Sequence, residues 1–183
     1  MITVANTPNA NALKFIVDRR WMNFVWECRN EKDAAKSQLA NHLFAINGVV
    51  YMLFGYDFVS VTKSPEHEWS ELEAEIIETI DTFLKRNVGL FEDEKPVAET
   101  KQEAKEFSEI ETKIITVLQE KVQPAIESHG GLVKFISFQD GVVKLDLQGA
   151  CKGCPSSAYT LKNGIENLLK YYFPEVREVV GAE

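Results

Sequence analysis

Cys151 and Cys154 form a Cys-x-x-Cys pair inside Gly149-Ala150-Cys151-Lys152-Gly153-Cys154-Pro155, and Pro155 suits the first turn of a helix. A cysteine at a helix N-terminus meets unpaired amides and the positive end of the helix dipole, which favour the thiolate that binds metal. Lys152, between the sulfurs, acts in the same direction. Gly149, Ala150 and Gly153 carry almost no side chain, so a bulky inorganic group or a second chain can come close to the backbone. Three chemistries fit this loop. A closed zinc site needs four ligands, and this half of the chain adds only His129 to the two cysteines. A thioredoxin-like dithiol uses the same motif, but after an early βα crossover, whereas here it comes late. An iron-sulfur cluster needs four thiolates, which two chains pairing their Cys-x-x-Cys loops would supply. A cluster held that way is released more easily than one buried among four cysteines of one chain, as a carrier requires.

Around this loop, 183 residues with 45% apolar, 26% charged and 10% aromatic composition describe an ordinary globular protein. A net charge of −8 has the wrong sign for a phosphate-neutralising surface, so nucleic acid is not an expected partner. No apolar run approaches the 18 or more residues of a membrane helix, and residues 1–15 lack the order of a secretory signal. A soluble protein with no membrane partner is expected. Three cysteines, two of them close together, make no disulfide framework and fit a reducing compartment.

The stretch 92–106, EDEKPVAETKQEAKE, has six acidic and three basic residues and no aromatic, so it reads as a linker, or as a forward extension of the next helix. Two small domains flank it, 1–91 and 107–183. In the first, Leu13 to Val17 and Met22 to Cys28 are expected to pair as a hairpin, followed by a helix over Ala34 to Ile46 with a stripe of Ala35, Leu39, Leu43 and Ile46. Strands Val49 to Phe54 and Phe58 to Thr62 flank the turn Gly55-Tyr56-Asp57. A last helix with a Ser70/Glu73 capping box buries Leu72, Ile76, Ile80, Phe83 and Leu84, so the expected order is ββαββα.

The second domain opens with a Ser108/Glu111 capping box and the stripe Ile110, Ile114, Val117, Leu118 and Val122. Pro124 kinks or restarts this helix, which ends near His129-Gly130-Gly131. Strands Leu132 to Phe138 and Val142 to Leu147 join at Asp140-Gly141. After the cysteine loop, Ala158, Leu161, Ile165, Leu168, Leu169 and Tyr172 stripe a helix that Pro174 ends, and Val176 to Val180 adds an edge strand. The order is αββαβ and the whole an α/β (α+β) protein of two small domains. Gly164, inside the last helix, costs about 1 kcal/mol relative to Ala and suggests close approach by the hairpin or by a second subunit.

Gly149 through Ser157, with Leu161-Lys162-Asn163-Gly164-Ile165-Glu166 and Pro174-Glu175-Val176 downstream, closely resembles the C-terminal domain of NifU and Nfu iron-sulfur scaffold proteins. Thr7-Pro8-Asn9, Asn11-Ala12-Leu13-Lys14-Phe15, Gly55 with Asp57-Phe58, and Val61-Thr62-Lys63 resemble the N-terminal domain of the Nfu branch. Leu132, Lys152 and Ala10 depart from the usual pattern without replacing a ligand, and the central modules of the larger nitrogen-fixation proteins are absent. The resemblance implies a homodimer in which Cys151 and Cys154 of each chain hold a bridging [4Fe-4S] cluster, with [2Fe-2S] as the alternative form. It also implies loading by an upstream assembly scaffold and transfer to apo iron-sulfur client proteins, a carrier and not an enzyme, with the first domain as an interaction module. A bacterial cytoplasm is the expected setting, or a mitochondrial matrix if a presequence has been removed. The rivals are a metal-free dithiol oxidoreductase and a zinc-bridged dimer. Cys28, His42, His67 and His129 are expected to be structural or solvated, and most of Trp21, Trp26, Trp69, Tyr51, Phe54, Tyr56 and Phe58 to be core, one or two left exposed marking a docking surface.

Overall fold

The computed structural model describes residues 1–86, 107–151 and 155–182, the side chains of 155–159 excepted. The stretch 92–106 lies outside the described residues, as do Lys152, Gly153 and Cys154. The chain divides into two compact units between Thr100 and Lys101, both of mixed α/β structure. No helix among the described residues is long and apolar enough to cross a membrane.

The first unit is built on an antiparallel five-stranded sheet in the order β1-β2-β5-β4-β3, with β1 Ile2–Asn6, β2 Ala12–Val17, β3 Trp26–Cys28, β4 Val49–Phe54 and β5 Phe58–Lys63. The hairpin expected from Leu13 to Cys28 does not form. Strand β2 lies between β1 and β5, while β3 pairs with β4 at the far edge. The segment between them crosses the end of the sheet, tethered to the β4–β5 turn. The Trp21 and Met22 N–H groups donate to the Tyr56 carbonyl at 2.9 and 3.2 Å, and Trp21 Nε1 donates to Gly55 O at 3.0 Å. The aromatic and apolar residues after Arg20 serve that crossing, with Met22 in the core, and only Trp26–Cys28 forms a strand.

Strand β1 lies outside the expected ββαββα order because its sequence, ITVAN, is short and only half-buried; its partner β2 makes it a strand. The single helix expected over 34–46 is two, α1 Glu31–Ala34 and α2 Gln38–Phe44. Ser37, nearly inaccessible, accepts the Ala40 N–H at 3.3 Å and starts the second, which turns Ala35 outward and leaves Ala34, Leu39, Leu43 and Ile46 in the core. Helix α3, Trp69–Arg86, begins one residue before Ser70, so Ser70 is no cap; Glu71 Oε2 receives the Glu68 N–H at 3.4 Å. Its buried face is Leu72, Ile76 and Ile80, with Phe83 and Leu84 partly covered.

The second unit has the order αββαβ. Its first helix runs as α4 Glu109–Val117, a π-helical turn Leu118–Val122, and α5 Gln123–Ser128. Ser108 and Glu111 exchange both bonds of the capping box. Pro124 has no N–H to give, and the helix absorbs this by widening one turn, the Gln123 N–H reaching the Leu118 carbonyl before α5 restarts. Strands β6 Gly131–Gln139 and β7 Val142–Gly149 pair around Asp140 and Gly141, whose φ of 51° and 79° make a left-handed two-residue turn. Helix α6, Pro155–Tyr172, follows the cysteine loop, and β8 Glu178–Gly181 returns parallel to β7. Ile165 and Leu169 are buried, but Tyr172 is 45% exposed at the helix end and is not part of the buried stripe.

Candidate functional site

The site is built where α5 meets β6 and where β7 ends. Gly130 has a φ of 74°, and its N–H donates to the Glu127 carbonyl at 2.9 Å, closing the helix as a left-handed residue does. Gly131 then pairs with Gly149 across the hairpin, and the Ala150 N–H donates to the Gly130 carbonyl at 3.1 Å. Two segments some twenty residues apart, 129–131 and 149–151, are thereby locked side by side.

Cys151 sits on the turn that leaves β7 and is only 7% exposed. Its thiol belongs to the core cluster with Ile126, Ile165 and Leu169 rather than to the exposed surface. The glycines around it suggest a bare loop, but Cys151 lies in the core beside Gly131, which belongs to another element. A Cβ built on Gly131 would lie 2.6 Å from Cys151 Sγ, 3.0 Å from Gln148 O and 3.1 Å from Ile126 Cγ2. Sequence reasoning assigned Gly130-Gly131 only to helix termination. The signal it passed over is that one glycine suffices to end a helix, so the second required its own reason. Cys154 lies outside the described residues, between the Cys151 turn and the first residue of α6.

Cys28 belongs to the first unit's core, its Sγ 3.8 Å from Asn30 O, and burial, helped by the Asp33 charge, pushes its thiol up to about 12. Such a thiol is a poor metal ligand. His42 is exposed, with Nδ1 2.7 Å from Gln38 O; His67 lies half-buried over Gly48; and His129 is the exposed C-cap of α5. Gly164 has open space where a side chain would be, so the hairpin does not approach it. Trp21, Trp26, Trp69 and Tyr51 are partly covered, Phe54 and Phe58 are buried, and Tyr56 stands 37% exposed beneath the Arg20 guanidinium. Among the described residues no three His, Cys, Asp or Glu side chains form a metal-holding group.

Residues 114–180 match the model of the NifU-like domain, and residues 2–87 match that of the scaffold protein Nfu/NifU N terminal. The chain belongs to the NifU/Nfu family. The human relative named NFU1 iron-sulfur cluster scaffold homolog, mitochondrial, is 40% identical over 184 residues, which cover 97% of this chain and 70% of its own. NifU-like protein 4, mitochondrial, of Arabidopsis thaliana is 38% identical over 182 residues, covering 97% of this chain and 64% of that protein. The chain thus spans about two-thirds of the length of these NifU/Nfu relatives. The solution structure of a NifU-like protein from Saccharomyces cerevisiae overlaps it with a TM-score of 0.46 at 26% identity, over 51% of this chain and 86% of the other.

Proposed function

We propose that this protein is an iron-sulfur cluster scaffold and carrier, in which Cys151 and Cys154 of two subunits hold one [4Fe-4S] cluster as cargo and pass it to apo-proteins. The observation that carries the reading is the cysteine count set against its distribution. A cluster of this kind takes four thiolates. The chain has three cysteines, and Cys28 is buried in the other unit with its thiol pushed up to about 12. Each chain therefore offers two usable ligands, and two chains complete the set. Membership of the NifU/Nfu family and the printed names of the human and plant relatives support the same assignment. The protein acts by binding and giving up its cargo rather than by turning over a substrate. An upstream scaffold loads it, apo iron-sulfur proteins receive from it, and the first unit serves as the interaction module. Its setting is a reducing compartment, a mitochondrial matrix or a bacterial cytoplasm.

Native mass spectrometry after anaerobic incubation with iron, sulfide and a reductant, with zinc in a parallel sample, tests this. The expected species is a dimer carrying four iron and four sulfide, lost in Cys154→Ala. A metal-free monomer that becomes two hydrogens lighter on oxidation would make this a dithiol protein instead, and a dimer that takes only zinc would make it a zinc-bridged assembly.

A further inference from the structure

We propose that Gly131 is a positioning residue for Cys151: its missing side chain forms the seat that holds the thiol inside the core, from which the sulfur must turn outward to ligate. The inference rests on the ligand role given to Cys151 above. Gly131 lies within β6 and does not have a positive φ, so its backbone is one that any L-residue adopts. What it supplies is space. A methyl group there would stand 2.6 Å from Cys151 Sγ, closer than real Cβ contacts come, while Gln148 O and Ile126 Cγ2 at 3.0 and 3.1 Å would need to give only a few tenths of an ångström. Nor can the two backbones slide apart to relieve the contact, because the Gly131–Gly149 pairing and the Ala150–Gly130 hydrogen bond fix them.

This arrangement gives the ligand two positions with different consequences. Inward, the thiol lies in the core cluster that includes Ile126, Ile165 and Leu169, 7% exposed, and is screened from reagents and from disulfide formation. Outward, about χ1, it can meet a cluster but forfeits that packing. The seat therefore opposes ligation and favours release, which suits a protein that must let its cargo go.

Two measurements on the full-length, cluster-free chain test the seat. In a Cys154→Ser background, labelling of Cys151 by a small neutral thiol reagent is followed by peptide mass mapping. Gly131→Ala should speed it roughly five- to a hundredfold, the range over which overpacking strain shifts the balance toward the outward rotamer. A rate equal to that of the parent would overturn the proposal. The second measurement is a double-mutant cycle on urea stability, with Gly131→Ala made in the parent and in Cys151→Ala. Removing the sulfur should abolish most of the cost of the added methyl group. An equal cost in both backgrounds would assign the glycine to Gln148 and Ile126 and sink the inference. If Gly131→Ala alone does not fold, the double variant should, and its failure would count against the seat as well. Neither measurement uses a cluster, so a parent protein that loads no iron would refute the proposed function while leaving this result to stand or fall alone.

Discussion

Gln123 is the side chain that fastens α5 to β6 two residues beyond Gly131, and replacing it with Ala isolates that fastening. Strand β6 is an edge of its sheet, and the Val133 N–H donates to Gln123 Oε1 at 3.1 Å; Gln123 Nε2 in turn donates to Glu127 Oε1 at 2.8 Å. Truncation leaves the Val133 N–H without its partner. A hydrogen bond of this kind contributes about 0.5–1.5 kcal/mol net, and because Val133 is only half-buried, water can replace part of it, so a loss of about 1 kcal/mol is expected. With a urea slope of about 1–3 kcal/mol per molar, the second unit's midpoint falls by roughly 0.3–1 M. Amide exchange gives the local reading: Val133 should lose more protection than the roughly fivefold that 1 kcal/mol of global destabilisation imposes on every core amide. Gln123→Glu keeps an acceptor and should keep Val133 protected, at about 0.2–0.5 kcal/mol for setting two carboxylates four residues apart on one helix. A Val133 amide as slow in Gln123→Ala as in the parent, or as fast in Gln123→Glu as in Gln123→Ala, would refute the fastening.

Cys28, with its thiol pushed up to about 12, is about one part in ten thousand thiolate at pH 8, so alkylation there should miss it in the folded protein and reach it only in urea; labelling in native buffer would contradict its place in the core. Glu166 accepts the Val179 N–H at 3.0 Å and pairs with Lys170 at 2.5 Å, and these bonds, Lys170 foremost, hold its carboxyl below the ordinary glutamate range. A depressed folded-state pKa gives stability that is complete above the unfolded value of about 4.3 and drains away as pH falls through the folded one. Urea midpoints of the parent and of Glu166→Gln should therefore differ at pH 7 and draw together as pH falls below the folded-state value, and a gap that does not narrow in acid would separate the contribution from the carboxylate's charge.

Most local patterns in this chain carried local structure, the Ser70–Glu73 capping box and the single helix over 34–46 excepted. The Ser108–Glu111 capping box, the Asp140–Gly141 turn, the stop at Gly130 and the placement of Cys151 between a strand and a helix all follow from residues within a few positions of one another, where backbone preference and short-range hydrogen bonds decide. Apolar periodicity likewise identified most buried positions of α3 and α6, failing at Tyr172 where the helix runs out of core to pack against. What the sequence could not carry was partnership. That β2 lies beside β1 and β5 rather than β3, that β3 sits at the opposite edge, and that β8 runs parallel to β7 depend on contacts between residues far apart in the chain. The same holds at the site. Two cysteines among glycines announce sulfur chemistry on their own, but the inward thiol of Cys151 depends on a hydrogen atom where Gly131 would otherwise carry a side chain, twenty residues away, and only the pairing of β6 with β7 brings that space to the sulfur.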